Sequence, residues 1–117
     1  MLTLSGVQRV YLASGPTDLR KSIDSLAALV QERFGLDPFS PSLFVFCNRE
    51  RNKLKILYWE HNGFWLFYRR LERGTFQWPS ENEGTLAVTT RQLRWLLDGL
   101  EMRQRQAHSK VTAEAVI

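Results

Sequence analysis

The chain has 117 residues, 44% hydrophobic and 24% charged, which is the balance of one globular domain with one core. Seven Phe, four Trp and three Tyr supply that core, while seven Gly and four Pro are too few for a collagen-like or low-complexity chain. Net charge is +4, a single Cys47 with His61 and His108 makes neither a disulfide nor a zinc site, and neither a leader pattern nor a membrane-length apolar run is present. A cytoplasmic protein holding no metal is therefore expected.

Residues 7–13 (V-Q-R-V-Y-L-A) favour a β-strand, which Ser14-Gly15-Pro16 ends before Thr17 and Asp18, either of which can cap a helix. Leu19, Ile23, Leu26, Ala27, Val30 and Phe34 then recur at steps of three and four and make one apolar helical face. Gly35 is placed to close that helix in a left-handed conformation, and Asp37-Pro38 stops it from resuming. Residues 43–47 (L-F-V-F-C) read as a compact apolar strand, followed by a charged turn over 48–52 and a strand over 53–60. Asn62-Gly63 signals a tight hairpin into a strand over 64–70, with Glu60 expected opposite Trp65 and Tyr58 opposite Phe67. Alternation puts Leu54, Ile56, Tyr58, Trp65 and Phe67 on one face and Lys53, Lys55, Leu57, Trp59, Leu66, Tyr68 and Arg70 on the other. A short strand over 75–78, a polar loop over 80–84 and another short strand over 85–88 follow, and Thr89 with Gln92 forms a capping box ahead of Leu93, Leu96, Leu97 and Leu100.

The expectation is a single α+β domain over residues 1–105: an antiparallel meander of four or five strands with two main helices packed on it. The first helix, over 17–34, is expected on the face of Leu54, Ile56, Tyr58 and Phe67. Residues 106–117 lose apolar periodicity and are expected to fray or be disordered.

The charge surplus lies in one stretch. Basic and acidic residues cancel over 1–46 and over 80–117, whereas within 47–79 Arg49, Arg51, Lys53, Lys55, Arg69, Arg70 and Arg73 face only Glu50, Glu60 and Glu72. Cations on a β-ribbon can track phosphates, and Trp59, Phe64 and Tyr68 interleaved among them can stack on bases. The candidate binding residues are therefore Arg49, Arg51, Lys53, Lys55, Trp59, Tyr68, Arg69 and Arg70, for nucleic acid or for a protein partner. The bland alternative is that cationic hairpin tips keep the fold soluble and discourage edge pairing, with the aromatics serving as core.

Catalytic chemistry finds little support. Asp18, Asp24, Asp37, Asp98 and Glu60 are scattered over separate elements, and a two-metal nuclease needs carboxylates that converge. Gly15-Pro16-Thr17-Asp18 lacks the Gly-Lys-Ser/Thr ending of a P-loop and the spaced glycines of a Rossmann turn, so it reads as a turn and cap. His61 reads as a turn residue and Cys47 as a small buried hydrophobe. No enzyme, cofactor or small-molecule substrate is expected.

The order of several short motifs resembles a known family. They are Val10-Tyr11-Leu12-Ala13-Ser14-Gly15-Pro16-Thr17-Asp18-Leu19-Arg20-Lys21, Leu43-Phe44-Val45-Phe46-Cys47-Asn48-Arg49, Lys55-Ile56-Leu57-Tyr58-Trp59, Asn62-Gly63-Phe64, and Tyr68-Arg69-Arg70-Leu71-Glu72-Arg73-Gly74-Thr75-Phe76-Gln77-Trp78-Pro79. Over roughly residues 5–103 the chain resembles the small accessory protein of bacterial insertion-sequence-66 type transposable elements. That protein is the second open reading frame product, called TnpB there and unrelated to the RNA-guided nuclease of the same name. The resemblance implies a helper encoded beside a larger acidic-triad transposase, with that transposase and another accessory protein as partners. Two roles follow from the residues: weak, largely sequence-independent binding of element DNA by the basic hairpins, or docking on the transposase without DNA contact.

Overall fold

The computed structural model describes residues 5–79 and 84–99. The elements run β1 (Arg9–Ala13), α1 (Ile23–Glu32), β2 (Ser42–Cys47), β3 (Lys53–Glu60), β4 (Gly63–Arg70), β5 (Thr85–Val88) and α2 (Thr90–Leu97). One sheet holds all five strands in the order β4-β3-β2-β1-β5. The class is α+β with two helices, and β2, β3 and β4 form the expected meander. The sheet is nonetheless mixed rather than antiparallel throughout, because β1 pairs parallel with β2 and antiparallel with β5. A tight turn can only reverse the chain, whereas the long crossover through α1 carries it back to start β2 beside β1 in the same direction. Central strands of such a sheet lie between two covered faces, and β2 is buried at all six positions.

α1 begins later than its apolar spacing suggests. Asp18 does not cap it: the Asp18 carboxylate accepts from the backbone N–H and guanidinium of Arg20, closing a local turn instead. Ser22, in extended conformation, is the residue before the first helical turn. Leu26 and Val30 are fully buried, and Leu19, Ile23, Ala27 and Phe34 pack around them. Gly35 adopts φ 65° just past the helix, the left-handed stop its position indicates.

The two faces are covered the other way round from expectation. α1 packs on Phe44, Phe46 and Leu57, not on Leu54, Ile56 and Tyr58. That second face is closed by Leu93 and Leu96 of α2 together with Phe76 and Trp78. Both faces of β3 are apolar at their centre, so alternation alone does not choose between them. The choice follows from β1, whose Ala13 end feeds the crossover.

Residues 75–78 alternate as a strand would, with Phe76 and Trp78 buried, yet they pair with no strand among the described residues. The Phe76 N–H donates to the carbonyl of Arg51 (2.7 Å), and the Trp78 indole Nε1–H donates to the carbonyls of Ala13 (3.0 Å) and Gly15 (3.1 Å). The segment is a plug tied to two loops. The capping box is present, with Thr89 Oγ1 accepting from Gln92 N (3.0 Å) and the Gln92 side chain accepting from Thr89 N (2.9 Å). The expected loop residues 80–83, Leu100 and the expected frayed tail lie outside the described residues.

The β3–β4 hairpin corrects the expected register by two residues. His61 (φ 52°) and Asn62 (φ 71°) are both left-handed and form the two-residue loop, so Glu60 pairs with Gly63 and Tyr58 with Trp65. A type I′ turn needs positive φ at both loop positions, and here His and Asn supply it while Gly63 already belongs to the strand. A shift of two preserves alternation, so the residues sharing each face are as expected.

Candidate nucleic-acid interface

Parallel alignment places the carboxyl ends of β1 and β2 side by side. The loop after β1 and the turn after β2 therefore emerge together, and the Thr17 N–H donates to the Cys47 carbonyl (2.8 Å). The outer end of an open sheet next to parallel strands is where such folds form ligand crevices. A pocket of about 220 Å³ lies here, lined by Gly15, Pro16, Asn48, Arg49, Arg51 and Trp78.

Asn48 builds the basic turn. Its Oδ1 accepts from the N–H groups of Asn52 and Lys53 (both 3.0 Å), and its Nδ2 donates to Asn52 Oδ1 (2.8 Å). The Arg51 N–H donates to the Asn48 carbonyl, and Arg51 sits in left-handed conformation with φ 61°. With its backbone held, the turn leaves Arg49 and Arg51 exposed. Among the described residues neither makes an ion pair.

β3 and β4 bring further cations to the same end. Lys53 lies directly opposite Arg70, and Arg69 opposite Leu54 on the other face. A like-charge pair facing across strands is unfavourable unless an anion intervenes. Arg70 is partly offset, since its Nε donates to Glu72 Oε2 at 2.8 Å. Tyr68, 55% exposed, shares the face of Lys53 and Arg70, so an aromatic ring stands open to solvent beside them.

Two candidates have other duties. The Lys55 ammonium donates to the Lys21 carbonyl (2.9 Å), fixing the segment that leads into α1. Trp59 sits six residues of extended strand from Lys53, about 20 Å away. There it is half-buried in an aromatic cluster, with ring centroids 4.9 Å from both Phe39 and Phe64. The structure thus gathers Arg49, Arg51, Lys53, Arg69 and Arg70 with Tyr68, and separates Trp59 from them. The pocket walls contributed by Gly15, Pro16 and Trp78 went unassigned, because nothing in the local pattern indicates that β1 runs parallel to β2.

Two titratable groups near this end are shifted from their ordinary values. Asp18 is held well below the usual carboxylate range by its hydrogen bonds from Arg20. Burial pushes the Cys47 thiol up to about 12. Among the described residues no group of three His, Cys, Asp or Glu side chains could hold a metal ion, and no helix is long and apolar enough to cross a membrane.

Comparison with known proteins fits this architecture to a lineage. Residues 8–107 match the family model described as IS66 Orf2 like protein. The chain belongs to that family. Among its relatives in Sinorhizobium fredii, the uncharacterized protein y4hO is 43% identical over 98 residues, covering 84% of this chain and 85% of its own. The uncharacterized protein y4jC is 31% identical over 93 residues, covering 80% of each. No solved structure matches. As an IS66 Orf2 family member, the chain has an accessory role in the transposition of insertion sequences.

Proposed function

We propose that this IS66 Orf2 family member is a non-catalytic DNA-binding helper that engages element DNA through the basic end of its sheet and assists assembly with the element's transposase. One observation carries the proposal: Arg49 and Arg51 line the pocket beside the loop that leaves β1, and Lys53 and Arg70, paired across strands, lie at the same end of the sheet, with Arg69 at that end on the other face. Such a cluster gains most from an anion that bridges several cations at once, as successive phosphates of a duplex do. Backbone phosphates carry no sequence information, so binding is weak and largely sequence-independent. Bond breaking belongs to the transposase in this reading, and neither cofactor nor small-molecule substrate enters it.

The test is a salt titration of duplex affinity. Neutralising roughly four to six phosphates gives a log-log slope of about −3.5 to −5.5, from about −0.9 per contact. Changing Arg49, Arg51 and Lys53 together to Ala should flatten that slope by about 2.7 while leaving thermal stability nearly unchanged, since exposed turn charges contribute little to folding. Equal slopes remove the turn from the DNA surface.

A second reading, docking on the transposase without DNA contact, draws on Phe39, which is 54% exposed over the Trp59 and Phe64 rings at the far end of the sheet. Absence of wild-type DNA binding at low salt would favour it.

A further inference from the structure

β4 is an edge strand, and an unusually bare one. Hydrogen bonding identifies which of its backbone groups are unused: the Leu71 N–H donates to the Asn52 carbonyl, so odd-numbered positions in this ladder bond to β3 and even-numbered ones face outward. Phe64, Leu66, Tyr68 and Arg70 therefore turn their N–H and C=O groups away from the sheet, and no strand among the described residues pairs with them. Edges of this length are normally blunted by proline, bulges or spaced charges. β4 has eight residues, no proline, and charge only at its final two positions. Exposed aromatics flank it on both faces, Trp65 at 49% and Tyr68 at 55%. The opposite edge, β5, has only four residues.

We propose that two copies of this chain pair antiparallel through β4, with the two-fold axis at Leu66, to form one continuous ten-stranded sheet. Charge complementarity selects this occupant and this register. Parallel, in-register pairing would stack Arg69 and Arg70 on their own copies, whereas antiparallel pairing sends the cationic ends to opposite ends of the ribbon. With the axis at Leu66, Trp65 lies opposite the partner's Phe67 and Phe64 opposite the partner's Tyr68, aromatic pairs on both faces. Arg69 falls opposite the partner's Gly63, which has no side chain to obstruct it. Beyond that glycine, on the same face, stands the partner's Glu60, about 10 Å away between Cα atoms, within reach of an arginine and a glutamate extended toward each other. Within one chain, among the described residues, Glu60 Oε1 accepts from the Trp65 indole (3.2 Å) and Oε2 lies 3.8 Å from His61, so the carboxylate can accept a guanidinium. The symmetric interface forms this ion pair twice.

Sedimentation velocity of the full chain from about 5 to 200 μM, without DNA, tests the proposal. A concentration-dependent monomer–dimer equilibrium with a dissociation constant in the micromolar range is expected, as befits a small edge interface. Tyr68→Pro removes an outward N–H that the chain's own sheet does not use, and should give monomer with the thermal melt retained. Arg69→Glu should weaken the dimer at least tenfold, and adding Glu60→Arg to it should restore affinity to within a few-fold. Should Tyr68→Pro fail to fold, the charge-swap series decides alone. A wild type that stays monomeric at 200 μM, or a dimer indifferent to the Arg69 and Glu60 variants, overturns the proposal.

Discussion

Arg51 allows a test in which stability and binding move in opposite directions. Its φ of 61° is strained for a residue with a Cβ, at a cost of roughly 1–2 kcal/mol. Its two backbone hydrogen bonds, to the Asn48 carbonyl and from the Phe76 N–H, do not involve the side chain. Arg51→Gly keeps both bonds and removes the strain, against an unfolded-state entropy penalty for glycine of about 0.5–1 kcal/mol. The net expectation is a gain of about 0–1.5 kcal/mol, at about 4–8 °C in Tm per kcal/mol for a domain near 100 residues. Arg51→Ala retains the strain and should leave Tm where it is. Both variants remove one cation and should reduce the salt slope of duplex binding by about 0.9. Paired thermal melts and salt titrations of the two variants provide the measurement. A glycine variant destabilised by more than about 1 kcal/mol would mean that the guanidinium packs on the turn rather than serving solvent and DNA. An unchanged slope would take Arg51 off the DNA surface.

Trp78→Phe keeps the plug's apolar bulk but leaves the Ala13 and Gly15 carbonyls without their indole donor, and should cost about 1–3 kcal/mol in denaturant unfolding. Cys47 is fully buried with its thiol pushed up to about 12, so at pH 8 it stays almost wholly protonated in the folded chain. Iodoacetamide should leave it unlabelled until guanidinium unfolds the protein, and labelling at the rate of a free thiol in native buffer would refute that.

Legibility followed the range of the physics. Features set by neighbours a few residues apart were readable: the Gly35 stop, the Thr89 capping box, a tight hairpin signalled by Asn62-Gly63, and Leu26 and Val30 as the buried stripe of α1. Features set by distant pairing were not. Nothing in residues 9–13 states whether they run parallel or antiparallel to residues 42–47, and that single choice decides which face α1 covers. The register slipped for a related reason: Asn62-Gly63 marks the turn, but which two residues hold positive φ depends on how the strands beyond it close. Residues 75–78 show the converse, since their alternation is real while their backbone partner is the carbonyl of Arg51 rather than a strand. For the site, charge counting found the basic turn, and only the fold could show that Lys55 is already engaged and that Trp59 belongs to the opposite end.

The parallel β1–β2 pair is also what gives the proposed interface its shape. In a sheet antiparallel at every step, the loop after the first strand and the turn after its neighbour would leave from opposite ends, and Gly15-Pro16 would lie a full strand length from Arg49 and Arg51. Parallel pairing sets them together, and three contacts then lock the arrangement: Thr17 N–H on the Cys47 carbonyl, Trp78 Nε1–H on the Gly15 carbonyl, and the Lys55 ammonium on the Lys21 carbonyl. Two of these use side chains that would otherwise look like an aromatic platform and a phosphate contact. Arg49 and Arg51 on the turn, and Lys53 where it joins β3, stand on backbone fixed by Asn48, so in the proposed binding mode they would meet a duplex with little ordering of the chain still to be done. Loosening that turn should therefore weaken binding even with every cation retained. Asn48→Ala, which removes the acceptor for Asn52 and Lys53, is the variant in which affinity should fall while the salt slope holds.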